Sequence, residues 1–384
     1  MIVLEGFHLA VLAVLGALVA QVCMNRRALV RLDPRGEEPE RRPRISVLIP
    51  ARDEAAKIGV CVESWVAQDY PDFEVLVYDD DSADDTAAIA AAAGGARVHV
   101  VRGGGLPSGW RGKPWSCHSL RARARGELLV FADADVAVEP GALAATVSAL
   151  ARSRADLLSA LPRHVAPRGL LRVLAGIQNW AVLSFIPLWL SGTSRGRTFA
   201  AVNGQYIAVP VAVYDACGGF AAVRGSVAED VDLGRLLAAR GLQALLVDGS
   251  KVMRCESYGT LREAWKGNVR NLVPIFFGSA ALLLAATSAA AAVYLAPIGM
   301  LAADALFRVP RLLFLWLPLT ELALAVLGRW LVDARFGVSG ASSLLHPVAM
   351  AGLCAMSVGS IVEHRMRGAV DWRGRRYPVG TGGD

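Results

Sequence analysis

Gly126-Glu127-Leu128-Leu129-Val130-Phe131-Ala132-Asp133-Ala134-Asp135 is the stretch on which the reading of this chain turns. Leu128 to Phe131 is a short apolar run of the kind that forms a buried strand. It runs straight into two carboxylates one residue apart, Asp133 and Asp135. At the carboxyl end of a strand in an open α/β sheet, where ligands habitually bind, an Asp-x-Asp pair can hold a divalent cation through oxygen ligands while that cation grips a diphosphate. Taken alone, the same residues also fit a strand end closed by ordinary Asp turn chemistry. The surroundings of the motif weigh between the two.

Upstream lies a repeating pattern. Ile45-Ser46-Val47-Leu48-Ile49-Pro50 is a β-branched run ended by Pro, followed by Ala51-Arg52-Asp53-Glu54 and a helical stretch to about Gln68. Glu74 to Tyr78 reads as a second strand, residues 85 to 93 as an Ala-rich helix, and Val98 to Val101 as a third strand. This alternation predicts a right-handed parallel unit of the nucleotide-binding kind. The turn over residues 79 to 85 carries five Asp in seven positions, too many for caps alone. Asp85 fits the cap of the next helix, while Asp79 or Asp81, at a strand's carboxyl end, is placed to accept hydrogen bonds from a base or ribose.

Composition bounds the rest. The chain has 384 residues, 54% of them hydrophobic, and a mean hydropathy of +0.41. The apolar excess sits at the ends: residues 5 to 24 form one run with no charge after Glu5, and residues 272 to 362 are largely apolar. Residues 44 to 256 have the size and pattern of one soluble α/β domain. The net charge of +6 does not mark a nucleic-acid binder, because no basic stretch is interleaved with stacking aromatics. The arginines gather beside the apolar runs instead: Arg26, Arg27, Arg31 and Arg35 after the first, Arg365, Arg367, Arg373, Arg375 and Arg376 after the last. That is the pattern of cytoplasmic flanks. Basic residues after the first run, not before it, favour an uncleaved anchor over a signal peptide. The six cysteines include no C-x-x-C pair and read as reduced thiols filling space.

Further along, residues 141 to 152 read as a helix and 156 to 160 as a strand, and residues 168 to 190 are unusually apolar, fitting either core or a membrane interface. Asn203-Gly204-Gln205 opens another strand. In Ala228-Glu229-Asp230-Val231-Asp232-Leu233, helical spacing lets Leu233 pack inward while Asp230 faces the cleft from the first turn. Gly103-Gly104-Gly105 lacks Walker spacing and reads as a flexible loop; Trp110 and Trp115 beside it suit either a lid or the core. Tyr258 to Asn271 is an amphipathic basic helix of interfacial type. Residues 273 to 307, 311 to 331 and 340 to 362 are three apolar stretches, and three crossings would put the basic tail on the wrong side. Either residues 273 to 307, with Pro297 inside, make two short passes, or one stretch is re-entrant.

Residues 46–54, Gln68-Asp69-Tyr70-Pro71, the acidic turn Asp79 to Thr86, and Asp133-Ala134-Asp135 together resemble the successive signatures of family 2 glycosyltransferases. Gly109-Trp110-Arg111-Gly112-Lys113-Pro114-Trp115 and Trp372-Arg373-Gly374-Arg375-Arg376-Tyr377 resemble its membrane-bound branch associated with hopanoid and carotenoid glycosylation. The resemblance implies an α/β fold, a GT-A (Rossmann-like) domain flanked by transmembrane helices. It implies that Pro50, Arg52 and Glu54 line a nucleotide pocket, that Asp80 contacts the base or ribose, that Asp133 meets the ribose and that Asp135 holds Mg2+ or Mn2+. It implies further that Lys113 lies beside the diphosphate, though on sequence alone it fits an exposed loop lysine equally; that Asn203 lies on the acceptor side; and that Glu229-Asp230 is the catalytic-base pair with Asp230 the base, a carboxylate that the helix dipole would also favour there for structure alone. The Gln-x-x-Arg-Trp of processive synthases is missing. Trp265 and Arg270 stand at its place, reaching the site from below or anchoring at the membrane surface.

The organisation expected is an anchor over residues 1–26, a linker over 27–43, the GT-A domain over 44–256, an interfacial helix over 257–271, a transmembrane region over 272–362 and a basic cytoplasmic tail over 363–384. The activity expected is inverting, metal-dependent transfer of one sugar from a nucleotide-diphospho-sugar donor, UDP-linked first, to a lipid acceptor (hopanoid, carotenoid or polyprenyl), at the cytoplasmic face of the inner membrane. The alternatives are a processive polysaccharide synthase and a non-catalytic membrane scaffold that binds the sugar nucleotide.

Overall fold

The structure, a computed structural model, describes all residues except 37, 38, 40, 168, 191–200, 227, 308, 368, 373, 374 and 379–384. Arg373 and Gly374 of the expected tail motif therefore lie outside the described residues. The chain divides into two compact units, one of Arg27–Val165 and Pro187–Ser257, the other of Met1–Arg26, Ala166–Ile186 and Tyr258–Asp384.

The first unit is built on a seven-stranded sheet with order β3-β2-β1-β4-β8-β6-β9. Its strands are β1 (Ile45–Ala51), β2 (Phe73–Asp79), β3 (Val98–Arg102), β4 (Leu128–Ala132), β6 (Leu157–Leu161), β8 (Tyr206–Pro210) and β9 (Ala244–Asp248). β1 lies between β2 and β4, parallel to both, with Ile45 opposite Phe73 and Leu128. β8 runs antiparallel between β4 and β6. Continuous apolar runs are required here because both faces are covered. Val47, Ile49, Val75, Val77 and Val130 face one core with Ile58, Val62 and Trp65, whereas Leu48, Leu76, Leu129 and Phe131 face another with Leu120, Leu233 and Leu237. The period of two along each strand sorts the residues between the two cores.

A three-stranded sheet, β5 (Val136–Val138), β10 (Met253–Glu256) and β7 (Arg163–Val165), begins where the Asp-x-Asp turn ends. β10 is antiparallel to β5 and parallel to β7. The turn is fixed by Val136 N–H donating to the Asp133 carbonyl (3.0 Å) and Glu256 N–H donating to the Asp135 carbonyl (3.0 Å). All six cysteines are free, four of them buried.

The second unit is helical. Among the described residues, four helices are long and apolar enough to cross a membrane: Ile2–Ala28, Ala280–Leu306, Leu312–Arg335 and His346–Met366. Residues 280–306, one such stretch by length and composition, consist of Ala280–Tyr294 and Ala296–Leu306, with Pro297 in the first turn of the second. There its missing N–H costs nothing. His346–Arg367 runs antiparallel to Ala280–Tyr294: His346 packs on Tyr294 (5.2 Å between ring centroids), Cys354 Sγ lies 3.9 Å from the Thr287 carbonyl, and Val273 N–H donates to Ser360 Oγ (3.2 Å). Ser343 Oγ donates to Asp333 (2.8 Å), so the connection between the last two spans doubles back beside the end of Leu312–Arg335. The apolar segment 166–186 belongs to this helical unit, where the Val173 carbonyl accepts from buried Arg329 (3.0 Å).

The sheet's centre depends on a buried polar node. Ser46 Oγ and the Arg125 N–H both donate to Glu74 Oε1 (2.7 Å each), and Gly126 N–H donates to Ser46 Oγ (2.8 Å). A Cβ on Gly126 would stand 2.4 Å from the Ser46 nitrogen. Gly126→Ala is therefore expected to destabilise the protein by about 1–3 kcal/mol, the usual range for overpacking. Thermal unfolding of the full chain in detergent checks this, and an unchanged midpoint would contradict it.

Candidate active site

Asp133 and Asp135 lie in the turn between β4 and β5, at the carboxyl end of a central strand. Lys113, from the first turn of helix Gly112–Arg121, places its ammonium 2.7 Å from Asp133 Oδ1 and 3.2 Å from Glu229 Oε1. The same nitrogen donates to the Gly204 carbonyl (3.3 Å). The Gly204 N–H donates to Asp230 Oδ2 (2.8 Å), and the Val231 N–H donates to Asp230 Oδ1 (2.8 Å). Glu229 and Asp230 open helix Glu229–Ala239, whose N-terminal amides favour negative charge there. One lysine and the backbone of one glycine thus join Asp133 to Glu229 and Asp230. Leu233 is buried, as the helical spacing requires.

The electrostatics follow from burial among like charges. Burial works against the Lys113 ammonium, but Asp133, Glu229 and Asp230 together outweigh it and hold its pKa well above the ordinary lysine value. Burial pushes Asp133 up to about 6 despite the lysine, with Asp135 and Glu229 adding to the rise. Glu229 is raised by burial in the same way. His164, buried on β7, is lowered to about 4 by desolvation and is neutral at pH 7.

Asp135 faces a different cation. Lys57 Nζ stands 3.6 Å from Asp135 Oδ2 and donates to the Glu256 carbonyl (2.9 Å). Around the turn, the carboxylates of Asp133, Asp135, Glu229 and Asp230 outnumber the two ammonium groups by two. Among the described residues, no three His, Cys, Asp or Glu side chains converge to hold a metal by themselves. A hard-oxygen site with this charge excess and too few protein ligands fits a divalent cation whose remaining ligands come from a diphosphate and water.

The strand ends beside this turn form a second cluster. Asp53 N–H donates to Ser82 Oγ (3.0 Å), Glu54 N–H to Thr86 Oγ1 (2.8 Å), and Ala83 N–H to Asp53 Oδ1 (2.8 Å). These bonds lace the loop after β1 to the acidic turn after β2. They bring Pro50, Arg52, Glu54 and Asp80 together: Asp80 N–H donates to the Ala51 carbonyl (2.8 Å), and Arg52 donates to the Asp80 carbonyl. Asp53 and Asp81 adopt left-handed backbone (φ 51° and 59°), which Asp tolerates better than most residues. Asp85 does not cap the following helix. Asp84 Oδ1 takes the Thr86 N–H instead (3.1 Å), because the preceding bonds aim residue 84 back at the helix start.

Asn203 is more embedded than an acceptor-facing residue: its side-chain amide donates to the Ala160 carbonyl (3.1 Å) and to Gln205 (3.2 Å). Gly204 instead meets the Asp230 carboxylate and the Lys113 ammonium. Trp110 and Trp115 stack with His118 (Trp110–Trp115 centroids 5.1 Å), and Trp115 packs on the core that contains Leu76 and Phe131. Trp265 and Arg270 lie on helix Leu261–Ile275 of the helical unit. A Cβ on Gly359 would come 2.9 Å from the Trp265 ring, and Arg270 Nε donates to Asn271 (3.1 Å). Two residues were missed in the sequence. Lys57 carried only the weak signal of a cation in the loop after β1, and Gly204 that of a glycine beside a strand.

Residues 43–272 match the family model described as "Glycosyltransferase like family 2". The chain belongs to glycosyltransferase family 2. A relative of this glycosyltransferase is 4,4'-diaponeurosporenoate glycosyltransferase from Staphylococcus haemolyticus (strain JCSC1435), 32% identical over 143 residues, 37% of each chain. The alignment thus spans little more than a third of that relative. The mannosyltransferase PcManGT from Pyrobaculum calidifontis, solved with GDP-Man and Mn2+, superposes with a TM-score of 0.57 at 20% identity, over 94% of this chain and 99% of its own. That likeness establishes the GT-A fold.

A Cβ at residue 204 would stand 3.1 Å from both Asp230 Oδ2 and Lys113 Nζ. Gly204→Ala is expected to displace both groups, to lower the glycosyltransferase's turnover by about 10- to 100-fold and, through Lys113, to weaken nucleotide binding. Steady-state kinetics alongside nucleotide titration check this; unchanged turnover would contradict the reading of the Gly204 contacts.

Proposed function

We propose that this enzyme transfers a single sugar, with inversion, from a nucleotide-diphosphate sugar, UDP-linked first, to the hydroxyl of a membrane lipid such as a carotenoid, hopanoid or polyprenyl lipid. The observation that carries the reading is the Lys113 ammonium shared by Asp133 and Glu229, with the Gly204 backbone bonded to Lys113 through its carbonyl and to Asp230 through its N–H. Donor-side and base-side carboxylates then share one cation. The relative named for a carotenoid acid and the four apolar helices support an apolar acceptor.

In this reading Asp230 accepts the acceptor's proton as its oxygen attacks the anomeric carbon, and the bond from that carbon to the diphosphate breaks with its electron pair leaving on the phosphate oxygen. The Gly204 and Val231 amides hold both oxygens of Asp230, so that the carboxylate meets the acceptor in one orientation. Asp133 orients the ribose, Lys113 places positive charge beside the diphosphate, and Pro50, Arg52, Glu54 and Asp80 receive the base and ribose. Asp135 would hold Mg2+ or Mn2+, which when bound supplies Lewis-acid stabilisation of the leaving diphosphate. No second carboxylate is required as a nucleophile, in contrast to retaining glycosidases.

The membrane parts in this reading are the anchor 1–26 and the region 272–362, with 257–271 at the interface and the domain 44–256 on the cytoplasmic side of the inner membrane. The end of His346–Arg367 lies beside Val273, the end from which the first carboxy-terminal span departs. This supports a basic tail on the same side as the interfacial helix, as the positive-inside pattern asks.

Membranes containing the protein, incubated with a panel of labelled UDP- and GDP-sugars with and without Mn2+, are expected to yield a metal-stimulated monoglycosylated lipid by mass spectrometry. Asp230→Asn is expected to lower turnover about 10²- to 10⁴-fold. Long polymer as product, or full transfer by the variant, would overturn the reading.

A further inference from the structure

We infer that Lys57 is a built-in counter-cation for Asp135 that competes with the divalent cation and is handed to the diphosphate when donor and metal bind together. The inference rests on the proposed metal role of Asp135. Lys57 precedes helix Ile58–Val66, with its backbone N–H bonded to the Glu54 carbonyl (2.9 Å). Its side chain is 23% exposed, and its ammonium is held at 3.6 Å from Asp135 Oδ2 by the Glu256 carbonyl. That carbonyl is itself anchored, since the Glu256 N–H donates to the Asp135 carbonyl (3.0 Å) and β10 pairs with β5. The lysine is therefore aimed at the carboxylate by the sheet that carries it.

The site uses its two lysines differently. Lys113 lies between Asp133 and Glu229, neutralises carboxylates on both sides and also donates to Gly204. Among the described residues, Lys57 has one carboxylate partner, at the long end of the ion-pair range, and one neutral carbonyl. A dication arriving at Asp135 meets a positive charge within a few ångströms, a repulsion that amounts to about a tenfold or larger loss in affinity even at high effective dielectric. A diphosphate reverses this. Its oxygens complete the cation's coordination and offer the flexible lysine a new anionic partner. Metal and nucleotide then each strengthen the other's binding, by the same factor for both. Lys57 is a positioning residue in this scheme, holding Asp135 until the donor arrives.

Mn2+ binding to the purified full chain, followed by the loss of the free-ion electron paramagnetic resonance signal, tests the inference without turnover. Lys57→Met and Lys57→Gln are each expected to tighten Mn2+ binding in the absence of nucleotide by about tenfold. In both, the further tightening produced by UDP is expected to shrink at least threefold, while Lys57→Arg, which keeps the charge, behaves like the wild type. Lys57→Gln retains a donor for the Glu256 carbonyl and so separates charge from local structure. Unchanged or weaker Mn2+ binding in both neutral variants overturns the inference. If the wild type binds Mn2+ and Asp135→Asn abolishes it while Lys57→Met changes nothing, only the Lys57 inference falls. If the wild type binds no Mn2+ even with UDP, the metal reading falls with it.

Discussion

The Lys113 ammonium among Asp133, Glu229 and the Gly204 carbonyl is the interaction on which the site depends. Three carboxylates could not crowd together around one strand end without it, since each desolvated charge costs several kcal/mol unless paired. Lys113 comes from the helix that follows the glycine-rich loop, Asp133 from the end of β4, and Glu229 and Asp230 from a helix that begins almost a hundred residues further on. The lysine turns three separate chain segments into one surface. Its single charge leaves the cluster net negative, the condition under which an added cation or the positive end of a ligand is welcome.

The fold supplies the geometry. A parallel arrangement of β2, β1 and β4 points three carboxyl ends the same way, so the loop after β1, the acidic turn after β2 and the Asp-x-Asp turn after β4 lie along one edge. The antiparallel β8 then brings its opening residues, Asn203 to Gln205, to that same edge: the Asp133 N–H donates to the Gln205 carbonyl (3.2 Å). An antiparallel strand in an otherwise parallel centre is what lets Gly204 meet Asp230.

Much of this was legible in the residues. Continuous apolar runs identified β1, β2 and β4, because strands covered on both faces need them. The placement of Asp133 and Asp135 after a buried strand, and of Asp230 in the first turn of a helix with Leu233 beneath, was legible in the residues, whereas the roles expected of them came from the family resemblance. What sequence could not show were the partners. Nothing in residues 52 to 57 says that Lys57 reaches a carboxylate 78 positions later, which depends on β10 placing Glu256 between them. Asn203 looked like the polar member of its pair, yet its amide serves Ala160, and the side-chain-free Gly204 meets the site. Residues 168–190 read equally as core or interface, because an apolar face does not say which surface it will cover; those up to Ile186 belong with the helical unit and those from Pro187 with the other.

A double-mutant cycle on unfolding free energy, combining Lys113→Met with Asp133→Asn and, separately, with Glu229→Gln, addresses the central claim most directly. The account predicts a coupling of about 1–3 kcal/mol in each cycle, the range for groups in one ion-pair network. Additive effects in both cycles would mean that Lys113 does not bind the donor-side and base-side carboxylates into one site, and would contradict it.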